Sequence, residues 1–428
     1  MAGKRARGDG GLHFKHRPDC PKPDDSGQRP KHKCAGLWVA RVELEPDSLG
    51  RRKSKEVTSR DYATAVKRLR ELRRQVEDHG TVATGTMTVE KWLRQWLDEV
   101  VAVTERPTTA KSYRSIVETQ LVPTLGKKRL DRLNVQHVRD MHSALRRKQT
   151  RLGKPPAESS ILKAHNVLSS ALTQAEREGL ILRNVARIAD KPELPDEDGA
   201  TFTPEQVQHF LRTNQGERMA PRWAVGFFTG ERQGEILGME WERVDLETGI
   251  ADVSWQLQRI PFRHGCGGDC GRKRPGSCPD RELDVKPAFT VRQLDGGLCL
   301  TRPKTKKGRR LIPLHPFLVA ALRARLACGE PNPHGLVFTR EDGRPVDPRV
   351  DLDEWKAALK RAGLPELGTH LARHVASQRL RAGKTDRDVM KDLMGHTKAA
   401  TTSLYLERDM ELASEAMLRL GDEFAIEG

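Results

Sequence analysis

Apolar side chains recur at helical spacing between residues 86 and 190, and no other feature of the sequence restricts the possible folds as strongly. Thr88 is a good helix N-cap, and an i, i+3, i+4, i+7, i+8 stripe follows it. The stripe consists of Val89, Trp92, Leu93, Trp96 and Leu97. Three further helices are predicted to begin at Pro107, Asn134 and Ser160. We expect four helices around one small core, with the aromatic and aliphatic stripes as packing residues.

The last part of the sequence is also mostly helical, but a β region interrupts it from about Gly249 to Leu314. Its first helix is capped by Thr203, with proline at the first helical position and Gln206 completing a capping box. A polar, proline-containing stretch at 191–198 is typical of an exposed linker. The sequence therefore predicts a multi-domain, mainly α fold with a small β-sheet or hairpin in its last domain.

The first 80 residues differ from the rest in their charge. They contain 20 Lys and Arg against 12 Asp and Glu, a net +8 of the +17 that the whole chain carries. The alternating segment 37–44 predicts a half-buried strand and 59–79 a basic helix, whereas the Gly- and Pro-rich start is predicted to be loose. We predict three domains, at residues 1–80, 86–190 and 199–428.

The net charge of +17 and the isoelectric point of about 9.7 favour a polyanionic partner. Nucleic acid is favoured over a membrane surface, because no basic amphipathic helix with bulky apolar residues stands out. No apolar run approaches the roughly 18 residues that span a bilayer. The basic N-terminus lacks the apolar core of a secretory signal. We expect a soluble, cytoplasmic protein that binds nucleic acid and no membrane.

Seven cysteines, an odd number in a chain without a secretory signal, argue against a disulfide framework. Three cysteines and one histidine within 15 residues suit a tetrahedral structural zinc site: His264, Cys266, Cys270 and Cys278. Their C-x3-C-x7-C spacing is not the paired C-x2-C form, so a flexible reduced loop is the alternative. A poorer cluster of the same residue types lies near the N-terminus: His16, Cys20, His32 and Cys34.

Residues that can bind phosphate occur in three segments of the last domain. In the first, Arg232 lies near the start of a helix, and Glu235, one turn later, can orient its guanidinium. Alone, such a pair is usually a surface ion pair. In the second, a basic turn within 303–310 leads into an apolar strand and predicts a β-hairpin that presents Lys304 or Lys306. A solvated charged turn is the alternative.

The third segment combines His370, Arg373, His396 and Tyr405. His370 and Arg373 are three residues apart and share one face of a helix. The next helix is predicted to end at Gly395 and to expose His396 beyond its end, and Tyr405 follows nine residues later. A tyrosine hydroxyl can attack phosphorus, although a lone tyrosine between two leucines is usually a core residue.

The order Arg, Lys, His-x-x-Arg, Gly-His, Tyr resembles the tyrosine recombinases, specifically the phage-type integrases. The matching segments are TGERQGEILG, PKTKKGRRLIPL, HLARH, LMGH and the tyrosine of TSLYLE. The helical middle, notably VPTLGKKRLDRLNVQHV, looks like the SAM-like core-binding domain of that family. The basic N-terminus looks like its arm-type DNA-binding domain. Glu231, Gln233 and Ala372 depart from the family pattern beside the two arginines. The resemblance implies a mixed α/β DNA breaking-rejoining domain in the last part of the chain.

The resemblance also implies a role for each reactive residue. Tyr405 would attack a DNA phosphate, leaving a covalent 3′-phosphotyrosyl link and a free 5′-hydroxyl. Arg232 and Arg373 would hold the non-bridging oxygens and stabilise the pentavalent transition state. Lys304, or alternatively Lys306, would protonate the leaving 5′ oxygen.

The two histidines and the partners complete this expectation. His370 would assist proton transfer, and His396 would hydrogen-bond the phosphate. The arginines and the lysine supply the charge stabilisation that a metal would otherwise give, so no cofactor is required and any zinc would be structural. The resemblance implies a homotetramer on double-stranded attachment-site DNA, assisted by a DNA-bending or directionality factor, in the nucleoid of a bacterial host.

The implied activity is site-specific recombination that integrates and excises a mobile element. Two alternatives share parts of the pattern: a type IB-like topoisomerase and a non-catalytic DNA-binding architectural protein. The separate basic N-terminal domain favours a recombinase over a topoisomerase. The complete set of reactive residues argues against loss of activity.

Overall fold

The computed structural model describes residues 11–21, 34–44, 53–79, 87–149, 153, 155–194, 201–303, 309–395 and 406–424. The chain divides into two compact units, Met1–Pro195 and Asp196–Gly428. This division does not test the three domain boundaries, which stay predictions. Among the described residues, no helix combines the length and the apolar character needed to cross a bilayer.

A three-stranded antiparallel sheet and one helix form the start of the first unit. The strands are β1 (Gly11–Lys15), β2 (Leu37–Leu44) and β3 (Lys53–Ser59), in the order β1-β2-β3, and the helix is α1 (Tyr62–His79). The predicted strand at 37–44 is confirmed. The described core of this part is small, with six buried apolar side chains: Val39, Ala40, Val42, Ala65, Leu69 and Leu72.

Two details of this part differ from the prediction. The start of the chain is not loose throughout, because β1 forms there; five residues with two alternating apolar side chains are too few for a clear period of two. The helix begins at Tyr62 rather than Ser59, since Ser59 is in register with Trp38 in the sheet. At the start of this helix, Tyr62 is 54% exposed and packs its ring on Trp38.

Helices fill the rest of the first unit. They are α2 (Val89–Trp96), α3 (Ala102–Thr104), α4 (Pro107–Ile116), α5 (Val122–Leu125), α6 (Val135–Arg147), α7 (Glu158–Arg177) and α8 (Val185–Ile188), with π-helical turns at Leu97–Val101 and Val117–Leu121 and a 3-10 turn at Leu130–Arg132. Thr88 and Asn134 cap α2 and α6 through their side-chain oxygens, as predicted, whereas α7 begins two residues before its predicted start. The stripes form one core, in which the indole of Trp92 donates to the carbonyl of Ala171 at 3.0 Å.

The second unit surrounds small sheets with helices. Its helices are α9 (Pro204–Thr213), α10 (Ala220–Thr229), α11 (Gln233–Leu237), α12 (Pro316–Ala327), α13 (Pro348–Arg361), α14 (His370–Ala382), α15 (Arg387–Met394) and α16 (Leu406–Phe424), with 3-10 turns at Trp241–Arg243 and Pro275–Ser277. Its strands are β4 (Val244–Asp245), β5 (Ile250–Val253), β6 (Gln256–Arg259), β7 (Phe262–His264), β8 (Arg281–Leu283), β9 (Val291–Asp295), β10 (Leu298–Thr301) and β11 (Arg310–Pro313). The predicted capping box of Thr203 and Gln206 is present at the start of α9.

The strands form three antiparallel sheets in the predicted β region, ordered β6-β10-β9, β11-β5-β4 and β7-β8. One large core holds the unit together, with Phe210, Trp223, Phe227 and Trp355 among its largest buried side chains. The last helix joins the same core through Phe424, whose ring contacts that of Phe227. The predicted fold class, mainly α with small β elements in the last part, is confirmed.

Candidate active site

Arg232 extends from a buried carboxylate towards solvent. Helix α10 ends at Gly230, whose backbone is left-handed with φ of 63°, and two residues later Arg232 caps α11. The backbone N–H of Arg232 donates to Glu235 Oε2 at 3.0 Å, and its Nη1 donates to Glu235 Oε1 at 2.8 Å. The Arg232 side chain is 40% exposed, whereas that of Glu235 is 1% exposed. Glu235 therefore orients the guanidinium, as the sequence predicted, and leaves part of it open to a ligand.

Arg310, on β11, is the second partner of Glu235. Its Nη2 donates to Glu235 Oε2 at 2.9 Å, and both side chains are buried. Burial would raise the pKa of Glu235, but the charge and hydrogen bond of Arg310, with contributions from Arg232, hold that pKa at about 2. The carboxylate therefore stays ionised at any working pH and keeps both guanidiniums in place.

Arg373 lies on the first turn of α14 and is 5% exposed. Its Nη1 donates to the carbonyl of Gly230 at 2.8 Å, and its Nη2 donates to the carbonyl of Met394. Glycine is favoured at position 230 because its φ of 63° is one that other residues rarely adopt, and a Cβ there would also lie 3.1 Å from Ala376 Cβ. Burial, and then the neighbouring charge of Arg232, lower the pKa of Arg373 to about 10. Because the two positively charged guanidiniums repel each other, an anion bound beside them would be stabilised.

The C-terminus of α15 lies against these arginines. Arg310 Nε donates to the carbonyl of Leu393 at 2.8 Å, while Arg373 binds the next carbonyl. Gly395 then ends the helix in the left-handed conformation, as predicted, where a Cβ would lie 3.1 Å from Arg310 Nη1. Two cations thus satisfy the last carbonyls of α15, the position where helix dipoles favour positive charge.

His370 is the third described residue of the predicted site. Burial lowers its pKa below the ordinary value, and the charges of His374, Arg373 and Arg232 lower it further. The rings of His370 and His374 pack edge to face at 4.8 Å. A histidine with a lowered pKa is neutral at neutral pH, so its imidazole can accept a proton.

The structure brings together three of the six predicted reactive residues, Arg232, His370 and Arg373. The other predicted positions lie outside the described residues: Lys304, its alternative Lys306, His396 and Tyr405.

The sequence pattern gave Arg310 no role in the site, and it marked Glu231 only as a departure from the family pattern next to Arg232. Arg310 belongs to a run of basic residues, and charge alone does not single it out; its place just before the apolar strand was the available signal. Glu231 is 3% exposed, and neither carboxylate oxygen has a hydrogen-bond partner among the described residues. Burial raises the pKa of Glu231 to about 7, against the opposing charge of Arg310.

The predicted zinc ligands converge at the β7–β8 hairpin. His264 Nδ1 lies 3.4 Å from Cys270 Sγ and 3.9 Å from Cys266 Sγ, and the Sγ atoms of Cys266 and Cys278 are 3.4 Å apart. All four donor atoms lie within 4.8 Å of one another. In a tetrahedral site with Zn–S bonds of about 2.3 Å and a Zn–N bond of about 2.0 Å, ligand atoms are roughly 3.5–3.8 Å apart. The donor set and its spacing therefore fit a zinc ion.

Comparisons with known sequences agree with the motif analysis. The profile of the Phage integrase family matches residues 289–411, and that of the Phage integrase, N-terminal SAM-like domain matches residues 88–146. An integrase of Saccharopolyspora erythraea is 29% identical over 420 residues, covering 91% of this chain and 94% of the relative. An integrase of Streptomyces ambofaciens is 26% identical over 415 residues, covering 94% and 92%.

Among solved structures, the Tn1549 transposon integrase in complex with a circular intermediate DNA has a similar fold. The TM-score is 0.58 at 17% sequence identity, over 76% of this chain and 99% of that chain. At this identity the similarity concerns the fold alone.

Proposed function

The chain belongs to the tyrosine recombinase family, and from this premise we propose how its residues carry out strand cleavage. The protein is a site-specific recombinase that breaks and rejoins DNA strands. The observation that carries the assignment of roles is that Glu235 holds the guanidinium of Arg232, which is open to solvent. Arg373 is near enough for the charge of Arg232 to lower its pKa.

Arg232 and Arg373 bind the scissile phosphate. Each guanidinium can donate two parallel N–H bonds to phosphate oxygens, and the pair neutralises the charge that grows in the pentavalent transition state. Glu235 and Arg310 act as positioning residues, since they hold Arg232 and the end of α15 in place. The rigid anchor matters because small displacements of a catalytic group cost large factors in rate.

Tyr405 is the nucleophile, and its oxygen forms a bond to phosphorus while the bond from phosphorus to the 5′ oxygen breaks. His370, neutral at neutral pH, assists removal of the tyrosine proton. Lys304, or Lys306, donates a proton to the leaving 5′ oxygen, and His396 hydrogen-bonds the phosphate. The phosphotyrosyl bond conserves the energy of the broken phosphodiester, so rejoining needs no external energy source, and tyrosine recombinases need no cofactor.

A suicide DNA substrate tests the nucleophile. A nick placed just downstream of the scissile phosphate lets the short fragment that carries the new 5′-hydroxyl diffuse away, so the covalent adduct accumulates and is counted on a denaturing gel. We expect an adduct with the wild type and with Tyr113→Phe, and none with Tyr405→Phe. Tyr113 is the matched control because its ring packs on Trp96 in the helical core. An adduct that persists in Tyr405→Phe would refute the assignment.

A plasmid assay with the wild-type protein distinguishes site-specific recombination from relaxation by a topoisomerase. Two target sites on one plasmid should yield recombinant products, whereas a topoisomerase would relax the plasmid without exchanging the sites. We propose further that residues 1–80 bind arm-type DNA, that residues 86–190 bind the core site, that residues 199–428 cleave it, and that four copies assemble on two duplexes. An accessory DNA-bending or directionality factor then sets the outcome.

We also propose that His264, Cys266, Cys270 and Cys278 hold a structural zinc ion. The ion would fix the β7–β8 hairpin and take no part in cleavage. The test is the zinc content of purified protein, with Cys270→Ser expected to lose one equivalent. Cys328→Ser is the matched control, since Cys328 is an exposed thiol outside both clusters. An unchanged zinc content in Cys270→Ser contradicts the assignment.

A further inference from the structure

A second group of metal-type ligands lies at the base of the connection between β1 and β2. His16 directly follows β1, Cys20 ends a turn in which its N–H donates to the carbonyl of Arg17 at 3.2 Å, and Cys34 shortly precedes β2. The donor atoms of His16, Cys20 and Cys34 lie within 4.8 Å of one another, and the two Sγ atoms are 3.1 Å apart. Residues from both ends of this connection, His16 and Cys20 at one end and Cys34 at the other, therefore meet at one point.

Sheet pairing brings the two ends of this connection together. Lys15 is in register with Leu37, so the residues that continue from these strand ends start side by side. The His16 ring packs edge-on against Phe14 at 5.0 Å, and Phe14 packs on Trp38 at 5.2 Å. The backbone and the aromatic neighbours thus position the ligands without a metal.

The domain formed by this sheet needs additional support. Only six of its described apolar side chains are buried, and β1 is a five-residue edge strand. A sheet with one helix and so small a core supplies little free energy of folding, and natural domains of this kind add disulfides or metals. A tie between the ends of a long connection also removes conformational entropy from the unfolded chain.

We propose that His16, Cys20 and Cys34 bind a structural zinc ion that fastens β1 to β2. Two thiolates and one imidazole are donors that zinc prefers, and three protein ligands leave one coordination position for water or a further side chain. His32, the fourth residue of the sequence cluster, lies outside the described residues. The proposal depends neither on strand cleavage nor on the β7–β8 zinc site.

Metal analysis of the full chain tests the proposal. The wild type should contain two zinc ions per chain, Cys34→Ser one, Cys270→Ser one, and the double variant none. After replacement of zinc by Co²⁺, the thiolate-to-metal charge-transfer band should reflect two thiolates in Cys270→Ser and three in Cys34→Ser. Cys328→Ser should retain both ions.

A conservative variant guards against simple unfolding of the sheet. His16→Cys preserves a zinc ligand and should keep both ions while adding a third thiolate to this site, whereas His16→Ala should lose one. The proposal is overturned if Cys34→Ser keeps the same zinc content as the wild type. It is also overturned if the intact mass of the wild type, measured without reductant, shows the loss of two hydrogens that a Cys20–Cys34 disulfide produces.

Discussion

Two arginine–carboxylate clusters of the second unit have equally buried carboxylates but differ in how far their arginines are exposed to solvent. Arg222 and Asp351 are 1% and 0% exposed and make two contacts of 2.6 Å. Glu235 is as deeply buried, but its partner Arg232 is 40% exposed. The first cluster is closed around its charges, whereas the second leaves a guanidinium open to solvent, where we propose that it binds phosphate.

Gln233 connects the two clusters. Its side-chain amide donates to Asp351 Oδ2 at 2.7 Å and to the carbonyl of Pro348 at 2.8 Å. Because Gln233 directly follows Arg232, the closed cluster holds the backbone from which the open guanidinium extends. This departure from the family pattern therefore gives Arg232 a second anchor.

The largest effect on folding is expected at the closed cluster. Arg222→Met leaves the Asp351 carboxylate buried without its ion pair, which should lower the free energy of unfolding by about 3–5 kcal/mol. Urea denaturation measures this loss. The fraction that remains folded should still form the covalent DNA adduct. A loss below about 1 kcal/mol would mean that the cluster is less closed than its burial indicates.

The open cluster should show the reverse pattern. Arg232→Ala removes a donor to the transition state and should slow cleavage by roughly 100- to 1000-fold, while the free energy of unfolding changes by less than about 1 kcal/mol. Single-turnover cleavage and urea denaturation on the same preparation provide the two values. If the stability falls as far as in Arg222→Met, the contrast between the clusters is wrong.

The local parts of this site were predictable from the sequence, and the long-range parts were not. Arg232 and Glu235 are three residues apart at a helix start, and their pairing follows from helix geometry. The contact between Arg310 and Glu235 spans 75 positions, and that between Arg373 and Gly230 spans 143. No periodicity encodes such contacts, because they depend on how the elements pack.

The same reasoning applies to the fold. Helix starts at Thr88, Asn134 and Thr203 were predictable because a cap satisfies backbone groups within one turn. The β1 strand was missed because its five residues carry only two alternating apolar side chains, too few for a clear period of two. From the sequence, a zinc site and a flexible loop remained alternatives for residues 264–278. The pairing of β7 with β8, which the sequence pattern does not show, brings Cys278 beside Cys266.

The buried carboxyl of Glu231 lies next to the Arg232–Glu235 cluster but makes no ion pair among the described residues. The pH dependence of stability tests whether it is protonated in the folded protein. Its pKa, raised by burial to about 7, means that the folded protein holds the proton more tightly than the unfolded chain. Wild-type stability should therefore fall as the pH rises from about 4.5 to about 7, by roughly 1–3 kcal/mol. Glu231→Gln should remove most of this slope in denaturation curves. Parallel slopes for the two proteins would show that Glu231 is ionised in the folded state.

A smaller effect is expected at the connection between the clusters. Gln233→Ala removes two side-chain hydrogen bonds and should cost about 1–2 kcal/mol of stability. It should slow cleavage severalfold, much less than Arg232→Ala, because the guanidinium stays attached to Glu235. Gln233→Glu is a useful companion, since a second carboxylate beside Asp351 should be more harmful to stability. Equal stability of the wild type and both variants would show that Gln233 does not anchor the backbone at Arg232.

In the proposed mechanism, Arg232 neutralises charge on the scissile phosphate. Cleavage rates on a DNA site whose scissile phosphate is replaced by a neutral methylphosphonate test this most directly. With the charge removed, the defect of Arg232→Ala relative to wild type should shrink by at least about tenfold, whereas the behaviour of folded Arg222→Met should not change between the two substrates. A defect of Arg232→Ala that is equally large on both substrates would contradict the claim.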